Sequence, residues 1–292
     1  MTLFGKPIAF WHTPCSALRT GMSAPEPFVN LYVRVANGCN AGCRFCCNEN
    51  ADKAQGFNLD KFGKVLEEIA ASGIRLNRVT LTGGEPSTRP QTVKSIVGLI
   101  ERNPRLHFTQ VQLHTNGLTA AAKALTALPR IDAVSLSLHH YDAAVLSEIY
   151  GSAVPETLLE FPARMKSKIN LSCNLIKGYI DTPAEAEKLL GYVASKGFTS
   201  VGFAGLMKLN KYAAERYVNP WTMDFDSIRT LVRTEEKSHE GACRCRNYIY
   251  TGAECPVGVY IRETIDTGYC ASSLLFDGEY LRQGFNSNNI VY

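Results

Sequence analysis

Phe28-Val-Asn-Leu-Tyr-Val-Arg-Val-Ala36 runs directly into Asn37-Gly-Cys-Asn-Ala-Gly-Cys-Arg-Phe-Cys-Cys47. An apolar, β-branched strand thus feeds a glycine-bearing loop that holds four cysteines. Downstream, strand-like and helix-like stretches alternate. A helix from Asn58 places Leu59, Phe62, Leu66 and Ile69 on one face and closes at Ser72-Gly73. The strand RVTLT precedes a helix over Thr92 to Glu101, FTQVQLH a helix after Gly117, and AVSLSL helices to about Lys166. INLSCNLI precedes a helix from Thr182 to Lys196, and TSVGFAGL closes the series. Such alternation implies parallel strands joined by right-handed helical crossovers. Six strands are too few to close an eight-fold barrel, so the expected fold is α/β, a partial (β/α)6 TIM-like barrel over residues 28–210.

Outside that body the pattern changes. Residues 1–27 carry Pro7, Pro14, Pro25 and Pro27 without periodicity and read as an N-terminal extension, with the ordered body starting near Phe28. After about Leu209 a helix is expected over Phe225 to Glu236, then a Cys, Gly and Tyr-rich tail with the hairpin signal LLFDGEYLR turning at Asp277-Gly278. Residues 211–292 read as a small C-terminal domain too short to own a large core.

The composition, 292 residues with 45% hydrophobic and 20% charged, supports one large domain or a domain with an appendage. It argues against disordered and collagen-like chains. No apolar run reaches the roughly 18 residues of a spanning helix, and the opening MTLFGKPIAFWH lacks the pattern of a signal peptide. The expectation is a cytoplasmic protein without a membrane partner. The net charge of +4 is interspersed, so nucleic acid is not expected as a partner either.

Ten cysteines are distributed unevenly: Cys39, Cys43, Cys46 and Cys47 fall within nine residues, Cys243, Cys245, Cys255 and Cys270 lie in the tail, and Cys15 and Cys173 stand alone. Without an export signal, two clusters read as metal ligation before disulfides. In the first, CxxxCxxC offers three thiolates, which would leave one iron of a cubane cluster open to a non-protein ligand. A structural zinc site completed by Cys47 or a histidine is the alternative. In the tail, CxCx9Cx14C could fully ligate a second cubane cluster or a zinc ion.

The first loop resembles the signature of the radical S-adenosylmethionine (SAM) superfamily, in which an aromatic residue, here Phe45, precedes the last cysteine. Thr82-Gly83-Gly84-Glu85-Pro86 looks like the family's GGEP motif. Thr115-Asn116-Gly117 is similar to the TNG segment of the branch that includes the molybdenum-cofactor GTP cyclase, and Ser137-Leu138-His139 sits where that branch has Ser-Leu-Asp. The resemblance covers residues 28–210. It implies a [4Fe-4S] cluster on Cys39, Cys43 and Cys46, and SAM bound through Phe45, Gly83, Gly84, Glu85, Thr115, Asn116, Ser137 and Asn174. The tail resembles the auxiliary-cluster (twitch) domain of the same superfamily, implying a second [4Fe-4S] cluster on Cys243, Cys245, Cys255 and Cys270. The spacing departs from that domain's usual arrangement, since Arg282-Gln283-Gly284 stands where a cysteine would follow the hairpin.

The implied activity is reductive cleavage of SAM to methionine and a 5'-deoxyadenosyl radical, which abstracts hydrogen from a substrate. An external reductant such as flavodoxin or ferredoxin supplies the electron, and the second cluster relays one. A small-molecule substrate is favoured over a peptide, because no peptide-binding winged domain precedes the barrel. The chain ends Asn288-Asn289-Ile290-Val291-Tyr292 without the closing glycine pair of the GTP cyclase, so another substrate is expected. His139, His140 and Tyr141, at the end of the fourth strand, are the candidates for substrate-side proton chemistry. Epimerisation would make Cys47 or Cys173 a hydrogen donor. Arg34, Arg75, Arg78 and Arg89 could meet an anionic substrate or be solvated. A non-catalytic zinc or iron-sulfur scaffold is the rival from another class.

Overall fold

The computed structural model describes residues 2–9, 28–48, 55–234, 245–262, 273–284 and 288–292. A short hairpin, β1 (Thr2–Leu3) and β2 (Lys6–Pro7), comes first. Strands β3 (Phe28–Ala36), β4 (Arg75–Gly83), β5 (Phe108–Thr115), β6 (Ala133–Ser137), β7 (Ile169–Leu175) and β8 (Ser200–Gly205) then follow as neighbours in sequence order, every pair parallel. The crossovers carry helices α1 (Leu59–Ser72), α2 (Pro90–Glu101), α3 (Ala120–Thr126), α4 (Ala143–Tyr150), α5 (Ala163–Lys166) and α6 (Pro183–Ser195), and α7 (Lys211–Glu215) follows β8. This is a partial barrel, with each strand in the order the alternation implies.

Local chemistry sets the helix ends. Asn58 and Thr182 accept hydrogen bonds from the Lys61 and Glu185 N–H groups, satisfying donors that a helix start leaves unpaired. Gly73 ends α1 with φ 70°, a left-handed turn that favours glycine. No helix of the described residues is long and apolar enough to cross a membrane.

The C-terminal strands do not form a sheet of their own. Strands β9 (Leu231–Arg233), β10 (Arg246–Tyr250) and β11 (Val257–Arg262) extend one margin of the barrel sheet, with β11 parallel to β8. Strands β12 (Ser273–Phe276) and β13 (Leu281–Gln283) extend the other, with β12 parallel to β3. The hairpin read at Asp277-Gly278 is therefore present, and its first strand joins the barrel. The helix expected over Phe225 to Glu236 is not formed in its described part. Phe225–Ser227 is a single 3-10 turn and Leu231–Arg233 is a strand. The edge of β10 offers unpaired backbone groups to Leu231–Arg233, and that pairing overrides helical propensity. Order also starts earlier than Phe28. Leu3 is fully buried, Phe4 stacks on Tyr292 at 4.0 Å, and the Phe4 N–H donates to Glu68 on α1.

Consecutive strands with right-handed crossovers put the helices on one face of the sheet. That face is apolar, with Leu31, Val33, Val79, Leu81, Val111, Leu113, Val134, Leu136, Leu171, Val201 and Phe203 all buried in the core shared with the helices. The alternate residues line the concave face and are polar: Asn30, Tyr32 and Arg34 on β3, Arg78, Thr80 and Thr82 on β4, Gln110, Gln112 and His114 on β5, Ser135 and Ser137 on β6, and Asn170, Ser172 and Asn174 on β7.

An aromatic trio clamps β12 to the barrel. Phe62 of α1 meets Phe276 at 5.2 Å and Phe57 at 5.6 Å, and it is fully buried. Phe62→Ala is expected to lower the unfolding free energy by about 3–5 kcal/mol, read by denaturant titration. A loss under 1 kcal/mol would mean that the trio does not fasten the C-terminal strand.

Candidate active site

The cysteine loop is seated by backbone contacts at the carboxyl ends of β3 and β4. The Gly84 N–H donates to the Ala36 carbonyl (2.5 Å) and the Glu85 N–H to the Gly38 carbonyl (2.9 Å). A Cβ on Gly84 would run into the Gly38 carbonyl, and one on Gly83, whose φ is 130°, into that of Ala36. The close approach that these glycines permit is therefore to the cysteine loop's own backbone. Across the loop the Gly42 N–H donates to the Tyr150 carbonyl (2.7 Å), and the Tyr150 hydroxyl donates to the Ser137 carbonyl (2.7 Å).

Glu85 is buried and its carboxylate is fully engaged. One oxygen accepts from the Ser87 N–H (2.9 Å) and the Thr115 hydroxyl (2.7 Å), the other from the Asn116 N–H (2.7 Å). It thereby fixes the Thr115-Asn116-Gly117 turn to the end of β4. Asn116 in turn donates to the Asn40 side chain (2.8 Å) and stands 3.7 Å from the Cys39 sulfur. Asn48 completes the ring, its side chain donating to the Gly83 carbonyl (2.6 Å) and its N–H lying 3.4 Å from the Cys46 sulfur. Three motifs far apart in sequence thus meet at one end of the barrel.

Cys39 is exposed and Cys43 and Cys46 are half-buried on this loop. Burial, then the neighbouring Cys46 and Cys39, push the Cys43 thiol up to about 12, and burial raises Cys39 as well. Three thiolates here would repel one another, and a cationic iron cluster is what makes them tolerable. Among the described residues no three His, Cys, Asp or Glu side chains group tightly enough for a single metal ion. A cubane, by contrast, is ligated at three separate irons. The donor set, three thiols on one loop beside backbone and side-chain N–H donors, fits such a cluster. A cavity of about 370 Å³ opens beside Cys39, lined also by Asn37, Asn40, Gln55 and Arg89.

The remaining expected site residues divide between the two faces of the sheet. Ser137 and Asn174 sit at inward strand positions near the loop end. Phe45 packs edge-on against His139 at 5.3 Å. His139 is buried, accepts the Asn174 N–H at Nδ1 (3.1 Å), packs on Tyr150, and is pushed down to about 4 by burial. It is a neutral ring that props the cysteine loop from behind. His140 stacks on Tyr141 at 4.3 Å and accepts the Asp142 N–H, while the Tyr141 hydroxyl donates to Glu185 on α6. Both belong to the helix-side layer. Cys173 is buried in the core, and burial raises its thiol strongly.

Of the four tail cysteines, two lie among the described residues. Cys243 and Cys270 lie outside the described residues. Cys245 stands immediately before β10, whereas Cys255 stands in the turn after it, exposed, at the opposite end of that hairpin. The extended strand Arg246–Tyr250 lies between them in sequence. Asn40, Asn48 and Tyr150 were not anticipated from sequence. Only Tyr150, set before the helix-ending Gly151, had any local signal.

A parallel partial barrel with a tri-cysteine loop at its carboxyl end defines a class of iron-sulfur enzyme. A family model described as the Radical SAM superfamily matches residues 33–205, more than half of the chain, and the protein belongs to that superfamily. It is a radical SAM enzyme, and membership implies a [4Fe-4S] cluster and SAM. The chain is 29% identical over 136 residues to the "Probable GTP 3',8-cyclase" of Saccharolobus islandicus, covering 46% of this chain and 42% of that protein. It is 27% identical over 237 residues to the "Probable dual-specificity RNA methyltransferase RlmN" of Salinispora arenicola, covering 70% and 61% respectively. It therefore spans less than half the length of the first relative. Streptococcus suis SuiB, solved bound to S-adenosylmethionine, shares the fold with a TM-score of 0.50 at 15% identity, over 64% of this chain and 42% of SuiB.

Glu85→Gln would replace an acceptor oxygen with an amide that faces a donor. The variant is expected to lose about 1–3 kcal/mol of stability. A thermal-unfolding midpoint equal to that of the parent protein would show that the carboxylate does not hold the Thr115 turn.

Proposed function

We propose that this enzyme cleaves SAM reductively at a cluster held by Cys39, Cys43 and Cys46, and directs the resulting radical at a small molecule bound on the concave face of the barrel. The observation that carries the reading is the convergence of the cysteine loop, Gly83-Gly84-Glu85 and Thr115-Asn116-Gly117 on one end of the sheet. When bound, the cluster and SAM supply the electron transfer and the hydrogen-abstracting radical. The chain's residues have separable tasks. On this reading Ser137, Asn174, Asn116 and Phe45 touch SAM. Glu85 and Thr115 position the Asn116 turn, and the lack of side chains at Gly83 and Gly84 lets the loop close. The inward polar side chains bind and orient substrate, while the apolar helix-side core keeps water from the back of the sheet.

The electron would come from an external one-electron donor such as flavodoxin or ferredoxin. A small molecule is favoured over a peptide because the inward face is polar along several strands, where hydrogen-bonding groups of a compact ligand find partners. The same reading gives the tail cysteines Cys243, Cys245, Cys255 and Cys270 a second cluster, with electron relay as its role.

Anaerobic reconstitution tests the reading. Iron and sulfide analysis is expected to give about four irons for the loop cluster, SAM is expected to change its EPR spectrum, and reduction to yield 5'-deoxyadenosine. Cys43→Ser should abolish product formation, and iron beyond the loop cluster that is lost in Cys255→Ser would belong to the tail cluster. A reconstituted protein that binds iron yet neither responds to SAM nor forms 5'-deoxyadenosine would support the non-catalytic scaffold instead.

A further inference from the structure

Among the described residues, no inward strand position of the concave face carries a carboxylate, yet Arg34, Arg78, Arg262 and Arg282 stand there. Arg34 and Arg282 have Asp277 as an electrostatic partner. Arg78 has no acidic partner within ion-pairing distance among the described residues. It donates through one terminal nitrogen to the Gln112 side chain (2.8 Å), and its Nε is buried without an acceptor. The next inward residue of the strand, Thr80, is fully buried, and its hydroxyl also has no partner. A third such atom is the hydroxyl of Ser273, which is 2% exposed on β12, two strands away in the sheet.

Each unpartnered buried polar atom costs about 1–3 kcal/mol; Thr80 pairs in register with Gln112, the acceptor of the Arg78 hydrogen bond, so two such atoms stand beside each other on the inward face. The Thr80 hydroxyl and the Arg78 Nε–H can both donate to a single acceptor-rich group. The uncompensated positive charge selects an anion over a neutral acceptor. His114, next to Arg78, is held neutral by burial and by the arginine's charge, so it can offer an N–H without adding charge. Arg78 precedes Gly83 by five residues on β4, so roughly 16 Å of strand separates it from the cysteine-loop end. A group bound here is remote from the reacting carbon and serves to orient it.

We propose that this stretch of the concave face binds an oxyanion, a carboxylate or phosphate carried by the substrate, with Arg78 and Thr80 as its partners. The proposal rests on the reading that the concave face takes the substrate. It is tested on the SAM-saturated, anaerobically reconstituted protein by calorimetric titration with sodium phosphate, sodium succinate and, for ionic strength, sodium chloride. Saturable binding of phosphate or succinate is expected, with no saturation by chloride, and the tighter of the two identifies the kind of oxyanion. Arg78→Gln should weaken that binding at least tenfold and Thr80→Val severalfold, with Arg78→Lys between parent and Arg78→Gln. Should Arg78→Gln fail to fold, the Arg78→Lys and Thr80→Val titrations make the same comparison. An equal response to all three salts, or binding unaltered by these substitutions, overturns the proposal. Failure of the underlying reading is recognised separately. In that case the parent protein's cluster shows no EPR response to SAM, whatever the anions do.

Discussion

Two main-chain hydrogen bonds, from Gly84 to Ala36 and from Glu85 to Gly38, decide where the cysteine loop stands. They bring the turn after β4 against the turn after β3 at a separation that leaves no room for a Cβ on residue 83 or 84. The Glu85 side chain then carries the constraint one strand further by taking donors from Thr115 and Asn116. Asn116 returns it to the loop through Asn40. The result is a closed circuit of polar contacts over three strand ends, and loosening any member moves the sulfurs relative to the barrel.

This circuit separates the architecture of the loop from its chemistry. Gly42 is anchored by Tyr150 and Asn48 by Gly83, so the loop's course is set by protein contacts. Its sulfurs are another matter, because burial and mutual repulsion keep Cys43 protonated at neutral pH.

How much of this was legible in the sequence depends on the range of the interaction. The strand Phe28–Ala36, the Asn58 and Thr182 caps, the Gly73 stop and the Asp277-Gly278 turn are local signals, and they read correctly. The motifs could be recognised, but not the engagement of the Glu85 carboxylate by protein donors. That depends on where Thr115 arrives from 30 residues away. The helix read over Phe225 to Glu236 failed because a strand edge claimed Leu231–Arg233. Proline content misled at the other end, since Leu3 and Phe4 pack against α1 and the C-terminal Tyr292.

The two faces of the sheet divide stability from function. On the helix side, residues such as Leu31, Val79 and Val201 are fully buried and supply the apolar contacts that hold the barrel. Replacing Thr80 or Ser273 by an apolar residue of similar size would remove an unsatisfied group at little packing cost, so stability alone does not explain their presence. The same holds for Arg78, an arginine halfway along β4 whose Nε has no acceptor. Side chains that weaken the free protein where a ligand would satisfy them are the mark of a surface shaped by what it binds.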